Sequence, residues 1–390
     1  LITVGDNDTF PLWYAQEIEG FRTDVRIVCS TLLPTDWYID QMKRKAYMSD
    51  PVPITLTHDQ YVDGTRDFLF YNPLGKAKDS AMNINDFMKF VTLEDERAKV
   101  PLNNGHSVNY YPIRNIRFPV DKETVIKNKV VSPQRYDSIV PHMDITLPDE
   151  AIYKHSLVML DIIRTNNWKR PIYFAGGRFD DEDYAWLKNY LQLEGMVYKL
   201  VPVKTPIPED GSPLDMGYID ADDMYSIVMK WDWGNGGDTG IYHDPQTKKN
   251  SISFRKNLAR LGDALVKEGK LDKAGKVTDL AMKNMPVDYY GYYFISEPFA
   301  GLYYQTGRKK EARELLTKLI GKYTETLNYY KSLPVADQNL GASDIMSSIE
   351  AYRTLLIIME ENDDMEFFEA SKAAFNKANG MFARFKRPNE

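Results

Sequence analysis

Asp6-Asn7-Asp8 follows the short apolar run Leu1–Val4 and is the segment whose residue types come nearest to a working site. An Asp-x-Asp after a strand can hold a divalent cation through oxygen ligands, as metal-dependent nucleotide-sugar transferases do. A turn at the carboxyl end of a strand is also where open α/β sheets take ligands. The competing reading is local: Asp8 caps the following helix, and Asp6 and Asn7 shape the turn. A second acidic turn, Arg178-Phe179-Asp180-Asp181-Glu182-Asp183, comes after Gly176-Gly177 and another apolar run. Acids at a helix start are what the macrodipole favours. If both turns leave the same sheet edge, Asp180 and Asp181 join Asp6, Asn7 and Asp8 in a cation or polyol site. No cofactor other than such a cation is expected.

Other catalytic patterns are missing from the sequence. The five histidines (58, 106, 142, 155 and 243) do not stand at the i, i+4 spacing of a helical zinc pair. There is no Gly-x-Ser-x-Gly elbow, phosphate loop or dinucleotide fingerprint. Gly234-Asn235-Gly236-Gly237-Asp238 lacks the Lys-Ser/Thr of a phosphate loop and the periodic oxygens of a calcium loop, so it reads as a plain loop. Aromatic side chains are the more promising groups. Trp231 and Trp233 flank that loop, and Tyr289, Tyr293 and Tyr303 belong to a crowded aromatic stretch. Such rings stack on sugars or pack helices together. Trp13, Tyr14 and Trp37 are further candidates for a binding surface.

The elements that must position these residues fall into two sets. With 390 residues, two or three domains are expected. The net charge of −7 includes no long basic run, which argues against nucleic acid as a partner. Cys29, the only cysteine, precludes an intramolecular disulfide and sits in a strand-like run, as a small core residue would. No apolar run approaches the ~18 residues that a spanning helix needs. Opening inside a strand-like run without an initiator Met, the chain reads as a segment cut from something longer.

From Leu1 the pattern is strand, helix (Phe10 to Glu19, with Pro11 in the first turn) and strand (Val25–Ser30), a βαβ unit with a parallel sheet. A helix from Asp36 to Tyr47 and a strand at Pro53–Thr57 come next. Residues 64–148, broken by prolines, read as an irregular insertion. A helix from Pro148 to Thr165, a strand at Pro171–Ala175, a helix at Asp181–Leu193 and a strand at Met196–Val203 resume the rhythm. The expectation is an α/β domain over 1–250, Rossmann-like with a mostly parallel sheet, then an all-α tetratricopeptide-like repeat domain over 251–390. Gly269-Lys270 and Gly307-Arg308 occupy equivalent turns, 307 − 269 = 38 residues apart, each preceding a helix with an Ala at the same place. The usual period is ~34 residues, which suggests an inserted turn around Pro286–Gly291.

One long motif remains: Gly5-Asp6-Asn7-Asp8-Thr9-Phe10-Pro11-Leu12-Trp13-Tyr14, continuing through Glu17, Glu19-Gly20, Arg22–Arg26 and Thr35-Asp36-Trp37-Tyr38. With Asn167–Ala175 and Tyr190–Pro202, it closely resembles the bacterial multi-pass membrane family named domain of unknown function 2723, related to the transmembrane protein O-mannosyltransferases. The resemblance covers most of the chain. It implies a GT-C-like parent with an N-terminal bundle of membrane helices and a soluble region bearing tetratricopeptide-like repeats on the extracytoplasmic (periplasmic) face. The catalytic acid of such enzymes lies between the first membrane helices, so no catalytic residue carries over to this chain. The expected role is that of an accessory domain, with its own membrane domain and an acceptor protein or glycan as partners. The alternatives are an interaction scaffold in an envelope complex and a free-standing metal-dependent transferase using Asp6 and Asp8.

Overall fold

The first apolar runs pair as the βαβ pattern requires. In the computed structural model, which describes residues 1–73, 80–101, 107–175, 185–205, 207 and 215–385, β1 (Ile2–Thr3) lies parallel to β2 (Val28–Cys29), with Ile2 opposite Val28. Helix α1 (Asp6–Glu17) makes the crossover. On the other side β1 runs parallel to β10 (Tyr173–Ala175), with Ile2 opposite Phe174. The sheet is completed by β11 (Leu191–Glu194) and β12 (Val197–Leu200), in the order β11-β12-β10-β1-β2. Three strands are thus parallel, and the last two join as an antiparallel hairpin. Gly195, at φ +68, sits in its two-residue turn, where only glycine adopts a left-handed backbone without strain.

That hairpin corrects the helix expected at Asp181–Leu193. Residues 176–184 lie outside the described segments, and the remainder is a 3-10 turn (Ala185–Tyr190) followed by β11. Leu191, Gln192 and Leu193 are consecutively buried, as suits a strand covered on both faces rather than one stripe of a helix.

The strand expected at Pro53–Thr57 is not a strand. Pro51 and Pro53 have no N–H for a ladder. The segment is held by helix α4 (Lys154–Asn166) instead. The buried Asp161 carboxylate accepts from Thr55 N at 2.6 Å, Leu56 N at 3.1 Å and Thr55 Oγ1 at 2.8 Å. Helix α4 starts later than expected, because Ala151–Tyr153 is strand β9.

The stretch expected to be irregular contains two small sheets. One has the order β5-β6-β3-β9, with β3 at Phe68–Tyr71, β5 at Lys99–Pro101 and β6 at Ser107–Tyr111. The other is β4-β7-β8, at Met82–Asn83, Asn115–Pro119 and His142–Thr146. Helix α3 (Ile84–Val91) buries Ile84, Phe87, Met88 and Val91, a stripe at helical spacing. It ends at Val91, and the chain goes on into a 3-10 turn and β5.

The chain divides into two compact units, Leu1–Asp220 and Ala221–Glu390, where a boundary near 250 was expected. The second unit is helical throughout its elements: a short helix at Ala221–Val228, then α5 (Pro245–Lys267), α6 (Leu271–Asn284), α7 (Glu297–Gln305), α8 (Lys309–Ser332), α9 (Ala342–Glu361) and α10 (Met365–Met381), with shorter turns between them. Helix α5 begins ahead of the predicted Ser251 because Asp244 caps it, accepting from Gln246 N and Thr247 N at 2.8 and 3.2 Å, with Pro245 at the first position. The fold class is therefore as expected: a front part of mixed sheets and helices, then an all-helical region.

The two glycine turns are structurally equivalent. Gly269 and Gly307 both have left-handed φ, +72 and +76. In each, the glycine N–H and the next N–H return to carbonyls of the preceding helix: Gly269 N to Val266 O and Lys270 N to Leu265 O, then Gly307 N to Tyr304 O and Arg308 N to Tyr303 O. This is the double hydrogen bond that ends a helix on a left-handed residue. Ala274 and Ala312 then lie fully buried at matching places in α6 and α8. A third turn of the same kind joins α9 to α10, with Asp363 N to Glu360 O and Asp364 N to Met359 O. There Asp363 holds the left-handed position, at φ +54.

Candidate functional site

Helix α1 is built against the usual rule for a surface helix. Thr9 is its one fully buried residue. The Thr9 hydroxyl donates to Gly5 O at 2.7 Å and lies 2.7 Å from the Thr3 hydroxyl, which ties the helix to β1. Its large apolar residues point outward: Phe10, Tyr14 and Ile18 recur every four residues and, with Phe21 in the following turn, are between 52% and 70% exposed. That spacing lays them in one stripe along the helix and its end.

The acidic motif takes a different place from the one predicted. The helix begins at Asp6, so Asp6, Asn7 and Asp8 are its first turn, and Gly5 is the cap. Successive helical residues point about 100° apart, and acids in this turn oppose the positive end of the macrodipole. Pro11 is consequently inside the helix rather than in its first turn. Asp6 and Asn7 are exposed and Asp8 half-buried. Among the described residues no three His, Cys, Asp or Glu side chains come together as a metal site. Strands β1 and β10 are adjacent and parallel, so their carboxyl ends share one edge. Asp180 and Asp181 lie outside the described residues.

Between α1 and helix α2 (Asp36–Met42) runs a cleft of about 330 Å³, lined by Trp13, Glu17, Arg26, Trp37, Gln41 and Tyr47 among others. This volume falls within the ~300–1,000 Å³ of small-molecule sites. Three anchors hold its walls. Tyr38 is buried beneath α2 and its hydroxyl accepts from Cys29 N at 2.8 Å, so α2 is fixed to β2; burial pushes this phenol up to about 12. Arg26, nine-tenths buried, donates from Nη2 to Gln41 O at 2.7 Å, and its Nη1 has no acceptor among the described residues. Gln16 donates to both Arg22 O and Val25 O at 2.8 Å, closing the end of α1 onto the return to β2. Cys29 itself is buried, as read from the sequence.

Two of the cleft's aromatic rings present surface. Trp37 is 56% exposed and meets Tyr38 edge-on at 5.6 Å. Trp13 is half-buried and stacks on Phe10 at 5.6 Å. Across the rim Tyr47 donates its hydroxyl to Glu17, and this bond raises the phenol's pKa. Tyr47 has φ +50, a left-handed backbone unusual for a tyrosine. A tight turn between Ala46 and Ser49 holds it there. Neither Tyr47 nor Glu17 was among the predicted residues. They lie 30 positions apart in the chain, and only the exposed stripe of α1 carried a readable signal, its four-residue spacing.

In the second unit the predicted aromatics are occupied by packing. Trp231 and Trp233 form a three-ring cluster with Phe254, with centroids 5.4–5.6 Å apart. The Tyr289 hydroxyl donates to Ile241 O and accepts from His243 N, and Lys248 lies 4.1 Å over its ring. Tyr303 is buried, with Arg308 4.8 Å over its ring, and burial pushes its hydroxyl up to about 12. Tyr293 is half-buried in a 3-10 turn before α7.

Among the described residues no helix is long and apolar enough to cross a membrane. The family described as TMEM260-associated domain 2 matches residues 1–223, more than half of the chain, including α1, α2 and the cleft between them. No curated protein and no solved structure matches.

Proposed function

The chain belongs to the TMEM260-associated domain 2 family, and we propose that it acts as the extracytoplasmic accessory region of a membrane glycosyltransferase of the protein O-mannosyltransferase kind. In this role it is not the catalyst. It engages the membrane domain or the acceptor protein through α1 and the surface around it. The observation that carries this reading is the outward stripe of Phe10, Tyr14 and Ile18, of which Phe10 and Tyr14 belong to the motif that resembles the bacterial membrane family. A helix that buries Thr9 and exposes these three side chains gains little from them in its own fold; such apolar faces mark interaction surfaces.

A second reading, a protein-interaction scaffold of tetratricopeptide type, draws on the matching turns at Gly269 and Gly307 and the buried Ala274 and Ala312. Stacked helical pairs of this kind bury their faces only against neighbours. Deleting residues 1–390 from the parent protein separates the two readings. Loss of acceptor glycosylation, with the membrane domain still folded and inserted, supports the accessory role. Unchanged glycosylation removes it and leaves the scaffold.

A further inference from the structure

Of the cavities, polar clusters and exposed faces in the two units, the α1–α2 cleft offers the most chemistry. Its walls combine flat aromatic faces, from Trp13 and Trp37, with groups that accept and donate hydrogen bonds. Glu17 supplies a carboxylate and Gln41 an exposed amide, and the buried Arg26 guanidinium holds the wall from behind by donating to Gln41 O. The stripe of Phe10, Tyr14 and Ile18 has no such polar complement.

We infer that this cleft binds a neutral saccharide ring, with the Trp37 face as its stacking platform and Tyr47 as a strap across the rim. A pyranose has an apolar C–H face, which suits an indole, and hydroxyls around its edge that both donate and accept. A lipid tail would strip water from the Glu17 carboxylate and the Gln41 amide and offer them nothing in return, at a desolvation cost. An acidic sugar would set its carboxylate beside that of Glu17. A neutral ring avoids both penalties and brings hydroxyls for Glu17 and the Gln41 amide. The left-handed backbone of Tyr47 fits this assignment, since strained residues persist where the surroundings hold them and cluster at ligand clamps. Tyr47 reaches the cleft from a short turn and donates its hydroxyl to Glu17, a hydrogen bond that a hydroxyl of an entering ring can replace.

The test uses the full 390-residue chain, titrated with neutral trisaccharides of glucose, mannose and N-acetylglucosamine, a glucuronic-acid disaccharide and an unstructured apolar peptide. Binding is read by saturation-transfer NMR and tryptophan fluorescence. At least one neutral trisaccharide should bind in the millimolar range or tighter. Trp37→Ala should weaken it roughly tenfold, Trp37→Phe should restore part of the loss, and Tyr242→Ala, in the second unit, should change nothing. Trp37 is largely exposed, so its truncation leaves the core intact; circular dichroism checks this. Absence of neutral-saccharide binding, binding indifferent to Trp37→Ala, or preference for the acidic sugar or the peptide would each overturn the assignment. The cleft can take a sugar whether or not the chain serves a glycosyltransferase. Failure of this titration therefore leaves the accessory role standing, and intact glycosylation in the deletion leaves the saccharide site standing.

Discussion

Glu297 opens α7 with its side chain buried, and it accepts from the Tyr323 hydroxyl of α8 at 2.5 Å. Burial disfavours the carboxylate and pushes this acid from its ordinary 4.5 up to about 7, against a smaller opposing pull from Tyr323. Because the folded-state pKa is raised, the native state holds a proton that the unfolded chain has released. Stability therefore falls as pH rises from about 4.5 to about 7. A shift of this size is worth at most about 3 kcal/mol, from ~1.4 kcal/mol per unit. Glu297→Gln keeps the shape and an oxygen for Tyr323 but removes the titration. The variant should match the parent chain near pH 4.5 and exceed it by up to about 3 kcal/mol at pH 8. Amide exchange along α7 and α8, followed as a function of pH, isolates this region from the rest of the chain. Tyr323→Phe should displace the transition to higher pH, since the hydroxyl favours the ionised form. Equal pH dependence in parent and Glu297→Gln would refute the reasoning.

The turn joining α9 to α10 gives two more expectations. Asp364 is buried and accepts from Arg313 at 2.5 and 2.7 Å, from Lys309 at 2.9 Å and from Tyr304 at 2.7 Å. These donors, Arg313 foremost, hold its carboxyl well below the usual range, so its contribution is complete above the ordinary carboxylate value of 3.8, declines as pH falls below it and is gone once pH has passed through that depressed value. Asp364→Ala should cost about 1–3 kcal/mol in urea unfolding, by removing the buried acceptor that Arg313, Lys309 and Tyr304 share, while these partly exposed donors turn to water. Asp363→Gly, at a left-handed φ, should raise the melting temperature, with a gain of about 0.5–1 kcal/mol. In α5, a Cβ at Gly262 would lie 2.5 Å from Leu302 Cδ1 of α7, so Gly262→Ala should cost about 1–3 kcal/mol by overpacking, measured the same way.

The opening βαβ unit was legible because both strands are apolar runs and the helix between them ends at a glycine. Two repeat turns were legible because glycine marks a left-handed position. The third was hidden: Asp363 takes the same conformation, and only its place between α9 and α10 reveals it. The hairpin at Gly195 was read as helix into strand because consecutive burial of Leu191, Gln192 and Leu193 follows from cover on both faces, a tertiary fact. The insertion's two sheets were masked by prolines that local pattern treats as breaks. Trp13 and Trp37 were marked by their motif. The cleft they line was not, because it depends on Tyr47 reaching Glu17 from a strained turn.

The central claim is that the exposed face of α1 serves a membrane glycosyltransferase. It is tested most directly by replacing Phe10, Tyr14 and Ile18 together with serine in the full-length parent protein and measuring acceptor glycosylation. These side chains are exposed, so the unit should still fold. The account predicts that glycosylation falls sharply while the protein remains inserted and at normal abundance. Glycosylation at the parent's level, with the variant folded, would contradict it.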